Sequence, residues 1–168
     1  MDIPDPRPGL VIRYGYLWRD EHQRGIDEGS KDRPCAIVVA VSPAAGRKRV
    51  VVVPITHTPP PVNSGEIAVP SLTARRLGLD DRPQWIVTGE VNVFTWPGPD
   101  IRPAPGRNPI SIAYGQLPHG LTTQLINRVR EHVRQRSAAS VERDEGPAIR
   151  CVDQPTELVR GPEDKLDQ

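Results

Sequence analysis

Cys-Ala-Ile-Val-Val-Ala-Val, residues 35–41, and Val-Val-Val-Val-Pro-Ile, residues 50–55, decide how this chain is read. Both runs are β-branched, short and bounded by turn residues. Pro34 and Ser42-Pro43 flank the first, and Arg49 and Thr-His-Thr-Pro-Pro-Pro (56–61) flank the second. That pattern predicts two buried strands rather than a helix. The connection between them, 42–49, holds Pro43, Gly46 and three basic residues, as the tip of a hairpin would.

Outward from this pair, the N-terminal arm 1–9 is proline-rich and irregular, and 10–18 reads as a strand carrying Tyr14, Tyr16 and Trp18. The charged stretch 19–32 has almost nothing to bury and is expected to be a long loop, of the kind that is functional or disordered. After the second run, 66–69 is a short strand. Ser71 is expected to cap one or two helical turns, with Leu72, Leu77 and Leu79 facing inward. Residues 85–96 alternate with period two and predict one strand bent at Gly89. A Pro/Gly loop, 97–109, leads to a strand over 110–114. From Pro118 the period lengthens: Leu121, Leu125, Val129 and Val133 predict one amphipathic helix ending near Arg136. The polar segment 137–168 reads as a mobile tail, with 148–152 able to add a short edge strand. The organisation expected is one domain over 1–136 and a C-terminal tail over 137–168. Short strands joined by tight turns favour an antiparallel, barrel-like sheet over βαβ units.

Composition narrows the class. Of 168 residues, 36% are hydrophobic and 26% charged, and twenty prolines and fourteen glycines argue against a helical bundle. The longest apolar run, seven residues, is far short of the roughly 20 needed to cross a bilayer. No secretory leader pattern opens the chain, and two cysteines are no disulfide framework, so a cytoplasmic protein is expected. Arg outnumbers Lys by 19 to 3, which suits phosphate recognition, but genome composition can produce the same bias, so Arg richness alone does not imply nucleic acid.

Phosphate-loop, dinucleotide, nucleophile-elbow and zinc-protease motifs are absent, and the four histidines lack metal-ligand spacing, so neither metal nor cofactor is expected. What remains lies at strand ends. Lys31-Asp32-Arg33-Pro34 enters the first apolar run, and Pro54-Ile55-Thr56-His57 leaves the second. In a hairpin the start of one strand lies beside the end of the other. Arg33 then shares a sheet edge with Thr56 or His57, and a guanidinium and a hydroxyl together suit a phosphate. His57 is added as a proton-transfer candidate because imidazole titrates near neutrality.

Gly-Ser-Lys-Asp-Arg-Pro-Cys-Ala-Ile-Val-Val (29–39) followed by Val-Val-Val-Val-Pro-Ile-Thr-His-Thr (50–58) resembles the PemK/MazF family of toxin endoribonucleases. The strand ending in Phe94-Thr95-Trp96 is similar to the family's third long strand. Tyr114-Gly115-Gln116-Leu117-Pro118 is similar to its step into the last helix. The likeness covers roughly residues 8 to 136. It implies a mainly β fold: a small SH3-like antiparallel β-barrel of the PemK/MazF/CcdB kind, with one short internal helix and a C-terminal helix. It also implies a homodimer that cleaves single-stranded RNA without metal, by attack of the ribose 2′-hydroxyl on the adjacent phosphate, and that is held in check by an antitoxin. The matching positions are Arg33, as acid or transition-state clamp, and Thr56, as phosphate ligand. Glu28 and Lys31 in the charged loop, and Trp18, Trp96 and Glu90, are the expected RNA contacts. Gly89-Glu90 departs from the Asp-Gln pair of many members. That departure keeps open a non-catalytic barrel that binds a protein target, or an RNA-binding module that does not cleave.

Overall fold

A computed structural model describes residues 1–43 and 46–143. In chain order the elements are β1 (Leu10–Tyr16), α1 (Arg19–Gln23), β2 (Lys31–Val41), β3 (Arg49–Thr56), β4 (Ile67–Ala68), α2 (Ser71–Leu77), β5 (Trp85–Ile86), β6 (Glu90–Thr95), β7 (Ile101–Arg102), β8 (Ala113–Gln116), α3 (His119–Arg134) and β9 (Ala139–Glu142). The nine strands form one sheet, antiparallel except where β9 runs parallel to β6. Its hydrogen-bonded path runs from β4 through β5, β3, β2 and β1 to β7, with β6 and β8 branching from β3 and β1. Among the described residues no pairing returns that path on itself. The fold is therefore mainly β on an open sheet, not a ring of paired strands.

The two apolar runs pair as a hairpin, from Val41↔Arg49 back to Cys35↔Pro54. Their lack of polar alternation has a physical cause: both faces of the sheet are covered. Ala36, Val51, Val53 and Ile55 face a cluster closed by Leu77 of α2 and by Leu125 and Val129 of α3. Cys35, Ile37, Val50 and Val52 face a second cluster with Tyr14, Phe94 and Ile112. A register shift between Ile37 and Val39 sets Val39 beside Val38 on the helix-covered side, where strict alternation would have placed it on the other.

Two prolines decide where this ladder stops. A proline has no N–H to give a ladder, so it is tolerated only where pairing changes or ends. Pro54 lies where β3 leaves β6, last paired at Val52↔Asn92, and joins β5 at Ile55↔Ile86. Pro34 lies where β2 has left β3 and pairs only with β1, opposite Arg13. Beyond Cys35↔Pro54 the two strands therefore part, each held by a different neighbour.

Several expectations need correction. The charged stretch 19–32 is not all loop. Its first residues form α1, whose start is tied down by Glu21 accepting from the Trp18 N–H and Glu90 accepting from the Arg19 N–H, and its last two belong to β2. Residues 85–96 are two strands, because β5 serves β4 and the end of β3 while β6 serves the beginning of β3. Between them Thr88 is fully buried and donates to the Gly65 carbonyl. The expected loop 97–109 contains β7, paired with β1. The strand expected at 110–114 starts at Ala113, with Ile110 exposed. In α2 the cap position is Pro70 rather than Ser71, and Leu72 points to solvent. In α3 the four-residue spacing of Leu121, Leu125, Val129 and Val133 advances about 40° past each full turn. Leu125 and Val129 are consequently buried while Val133 has rotated outward. Finally, the sheet continues past residue 136: β9 lies beside β6 and buries Val141. The edge strand expected at 148–152 lies outside the described residues.

Candidate functional site

Where β2 and β3 diverge, two clefts open. The larger, about 690 Å³, is lined by Lys31, Arg33, Thr56, His57, Asp80 and Tyr114 among others. The smaller, about 350 Å³, is lined by Trp18, Arg33, Thr56, Pro60, Glu66 and Val87 among others. Arg33 and Thr56 border both. The hairpin thus brings together the guanidinium and the hydroxyl expected to meet there.

Arg33 is half-buried, with its guanidinium carbon 5.1 Å from the centre of the Trp18 ring. At that distance the aromatic ring attracts the cation. Tyr16 braces the indole in turn, edge to face at 5.1 Å. The neighbouring carboxylate does not neutralise Arg33, because Asp32 is engaged by Arg13 at 3.2 Å and Arg102 at 3.9 Å. Among the described residues Arg33 has no ion-pair partner, and its Nε is shielded from solvent without a hydrogen bond. A fixed, unneutralised fork of donors beside a cleft is suited to an anion. Across from it the Thr56 Oγ1 accepts from the Thr58 N–H at 3.2 Å, which leaves its own hydroxyl proton to donate.

His57 lines the larger cleft beside Thr56, and each of its ring nitrogens faces an acceptor. Its Nδ1 lies 3.1 Å from the Pro83 carbonyl oxygen and its Nε2 3.1 Å from Asp80 Oδ2. Both partners are acceptors, so both contacts are hydrogen bonds only when the ring carries two protons. Either way the imidazole clips the end of β3 to the loop 80–84. That loop is braced further: Asp80 accepts from Arg82 Nη2 at 2.8 Å and from the Arg82 N–H at 3.1 Å, and Gln84 donates to the Asp80 carbonyl at 3.0 Å. The Arg82 hydrogen bond, chiefly, holds the Asp80 carboxyl below the usual aspartate range.

The other candidates divide. Lys31 is exposed and lines the larger cleft, and Trp18 lines the smaller. Glu28 is exposed and borders neither. Glu90 is spent on α1, 2.5 Å from the Arg19 N–H, and burial raises its carboxyl above the ordinary value. Trp96 is 7% exposed and packs beside Phe94 in the core, where no base can stack on it. Cys35, directly after Arg33-Pro34, is no nucleophile: full burial pushes its thiol far above the ordinary range. Among the described residues no group of three His, Cys, Asp or Glu side chains converges on one point.

Sequence reasoning missed the loop 80–84 and Glu66. Asp-Asp-Arg-Pro (80–83) and an isolated Glu66 carry no local signal. The Thr56↔Trp85 pairing brings the former to His57, and the chain between β3 and β4 brings the latter to Trp18. No family model and no curated protein matches this chain.

Proposed function

We propose that this chain is an endoribonuclease of the PemK/MazF type, the toxin of a toxin–antitoxin pair. On this reading the sheet is an opened version of a small SH3-like barrel, wrapped around the Tyr14–Phe94 cluster. The protein acts in the cytoplasm as a homodimer, and an antitoxin segment competes with single-stranded RNA for the Arg33 surface. The observation that carries the reading is that an unneutralised Arg33, held by Trp18, borders the same cleft as the Thr56 hydroxyl.

The chemistry follows from those two groups. The ribose 2′-oxygen forms a bond to the adjacent phosphorus and passes its proton to solvent water. The bond from phosphorus to the 5′-oxygen breaks, and that oxygen takes up a proton from solvent, with Arg33 staying charged throughout. The products are a 2′,3′-cyclic phosphate and a 5′-hydroxyl. Negative charge builds on the non-bridging oxygens, and the Arg33 fork and the Thr56 hydroxyl stabilise it where they stand. His57, with the Pro83 carbonyl and Asp80 beside its ring nitrogens, is here a positioning residue that fixes the Thr56 end of β3.

The test incubates purified protein with mixed RNA in EDTA and maps the new ends. The expected outcome is cleavage that leaves 5′-hydroxyls, slowed at least about 100-fold by Arg33→Ala. Intact RNA with the wild type, or equal cutting by the variant, overturns the reading. The second reading, a barrel that binds RNA or a protein without cleaving, is favoured by Glu90, which stands where the sequence departs from the family's Asp-Gln pair and is engaged by the Arg19 N–H. Labelled RNA retained but uncut would establish the RNA-binding form of it. Sedimentation of the purified chain at twice its 18.6 kDa mass is expected for the homodimer.

A further inference from the structure

We infer, from the contacts of the loop 80–83 and independently of the RNA reading above, that this loop is a proton-operated partition at the larger cleft. It is fastened when both ring nitrogens of His57 carry protons and let loose when one of them gives its proton up. The four residues are all exposed, with a hollow on each side of them. Asp80 and Arg82 line the larger cleft, and they also line a neighbouring one of about 440 Å³, together with Arg75, Pro83 and Trp85 among others. Both ends of the segment are fixed. On one side Gly78, left-handed at φ 67°, closes α2, and the Leu79 N–H donates to the Ala74 carbonyl at 3.0 Å. On the other, buried Gln84 accepts at its carbonyl from the Val69 N–H at 2.9 Å. Between those ends, among the described residues, the hydrogen bonds and ion pairs of 80–83 stay within 80–84 except for two. Both of those go to His57.

Those two contacts hold together in one protonation state only. The Pro83 carbonyl and the Asp80 carboxylate are both acceptors, each 3.1 Å from a different ring nitrogen. A neutral imidazole has one N–H and one lone pair, so it keeps one contact and turns a lone pair on the other acceptor. Of the charged and titratable groups around it, Asp80 and Arg82 belong to the loop. Lys31, Asp32 and Arg33 face the same cleft from β2, and Tyr114 from β8. None of these residue types ordinarily titrates between pH 5 and 8, whereas imidazole does. The Arg82 hydrogen bond moves the Asp80 carboxyl further from that range, downward. The clip is therefore complete below the imidazole's titration and halved as pH rises through it. Exposed contacts of this kind are each weak, so losing one of two is enough to loosen a short exposed segment. Once loose, the loop no longer divides the two clefts, and Arg75 and Trp85 open onto the same groove as Arg33 and Thr56.

The test is backbone nitrogen-15 relaxation of the full-length chain, without ligand, over a series from about pH 5 to about pH 8. The order parameters of the Asp81 and Arg82 amides are expected near the rigid value of about 0.85 at the acid end, falling toward about 0.6 at the alkaline end. The midpoint of that fall should coincide with the midpoint of the His57 Cε1–H chemical shift in the same samples. In His57→Leu the two amides should be loose at every pH. Equal order at both ends of the series, a midpoint that does not follow His57, or a pH-dependent change that survives His57→Leu would each overturn the inference. The wild-type series decides it even if the variant does not fold. Because no RNA is present, a protein that never cuts RNA can still show the switch, and a nuclease can lack it.

Discussion

Arg33 shows how much of a site rests on one side chain's surroundings. Its charge is available because Asp32 is taken by Arg13 and Arg102, and the Trp18 ring lies 5.1 Å from its guanidinium carbon. Lysine would keep the charge but lose the planar fork of donors, so Arg33→Lys should recover little of the activity lost in Arg33→Ala. Single-turnover cleavage measures this, and near-complete rescue would mean that charge alone suffices. Asp80 offers a pH test. Its folded-state carboxyl titrates below the unfolded value, so its stabilisation is present above the ordinary aspartate pKa of about 3.9 and is lost as pH falls through the lowered value. A small melting-temperature gap between wild type and Asp80→Asn is expected at pH 7, closing toward pH 2. It is small because the pair is exposed and screened. A gap as large at pH 2 as at pH 7 would assign the effect to something other than ionisation. Cys35 tests burial directly. In a Cys151→Ser background no thiol should react with a disulfide reagent at pH 8 until the chain is unfolded.

At the scale of elements, the site is made by the way β2 and β3 exchange neighbours at Pro34 and Pro54, and β9 extends the sheet beyond β6. β9 is tied in by two ion pairs. Glu142 reaches the buried Arg49 of β3, and Arg143, just past its end, meets Asp100 at 2.7 Å with side chains only 6% and 14% exposed. Removing one member of a buried pair strands the other. Arg143→Leu should therefore destabilise the fold by on the order of 3 kcal/mol in urea denaturation. The double variant with Asp100→Leu is expected to lose less than the single one, because no charge is left unpaired. If the double variant proves the weaker, the pair contributes through packing rather than charge.

For the whole molecule, the two readings of function diverge in a living cell. An RNA-cleaving toxin expressed in bacteria should arrest growth through Arg33, and Arg33→Ala should relieve the arrest. Growth inhibition that persists in the variant would point to a protein target gripped by another face of the sheet. Among the described residues no helix is long and apolar enough to cross a membrane. The exposed apolar residues Met1, Ile3 and Ile110 lie close together, where Asp2 bridges to Ser111.

Local chemistry alone determined that residues 35–41 and 50–55 would be a buried hairpin and that residues after Pro118 would be a helix. β-branched runs and four-residue apolar spacing act over a few neighbours and need no distant partner. The same locality put Arg33 and Thr56 at one end of the hairpin, where the strands part and both residues border the clefts between them. Whether Arg33 would be neutralised was not legible, because Arg13 and Arg102 come from other strands. His57's engagement depended on Asp80 and Pro83, and the core position of Trp96 on the strands packed over it. The split of 85–96 and the recruitment of 139–142 had the same origin: a strand's limits are set by which neighbours bond to it. Those partners lie tens of residues away along the chain, and only the folded sheet brings them together.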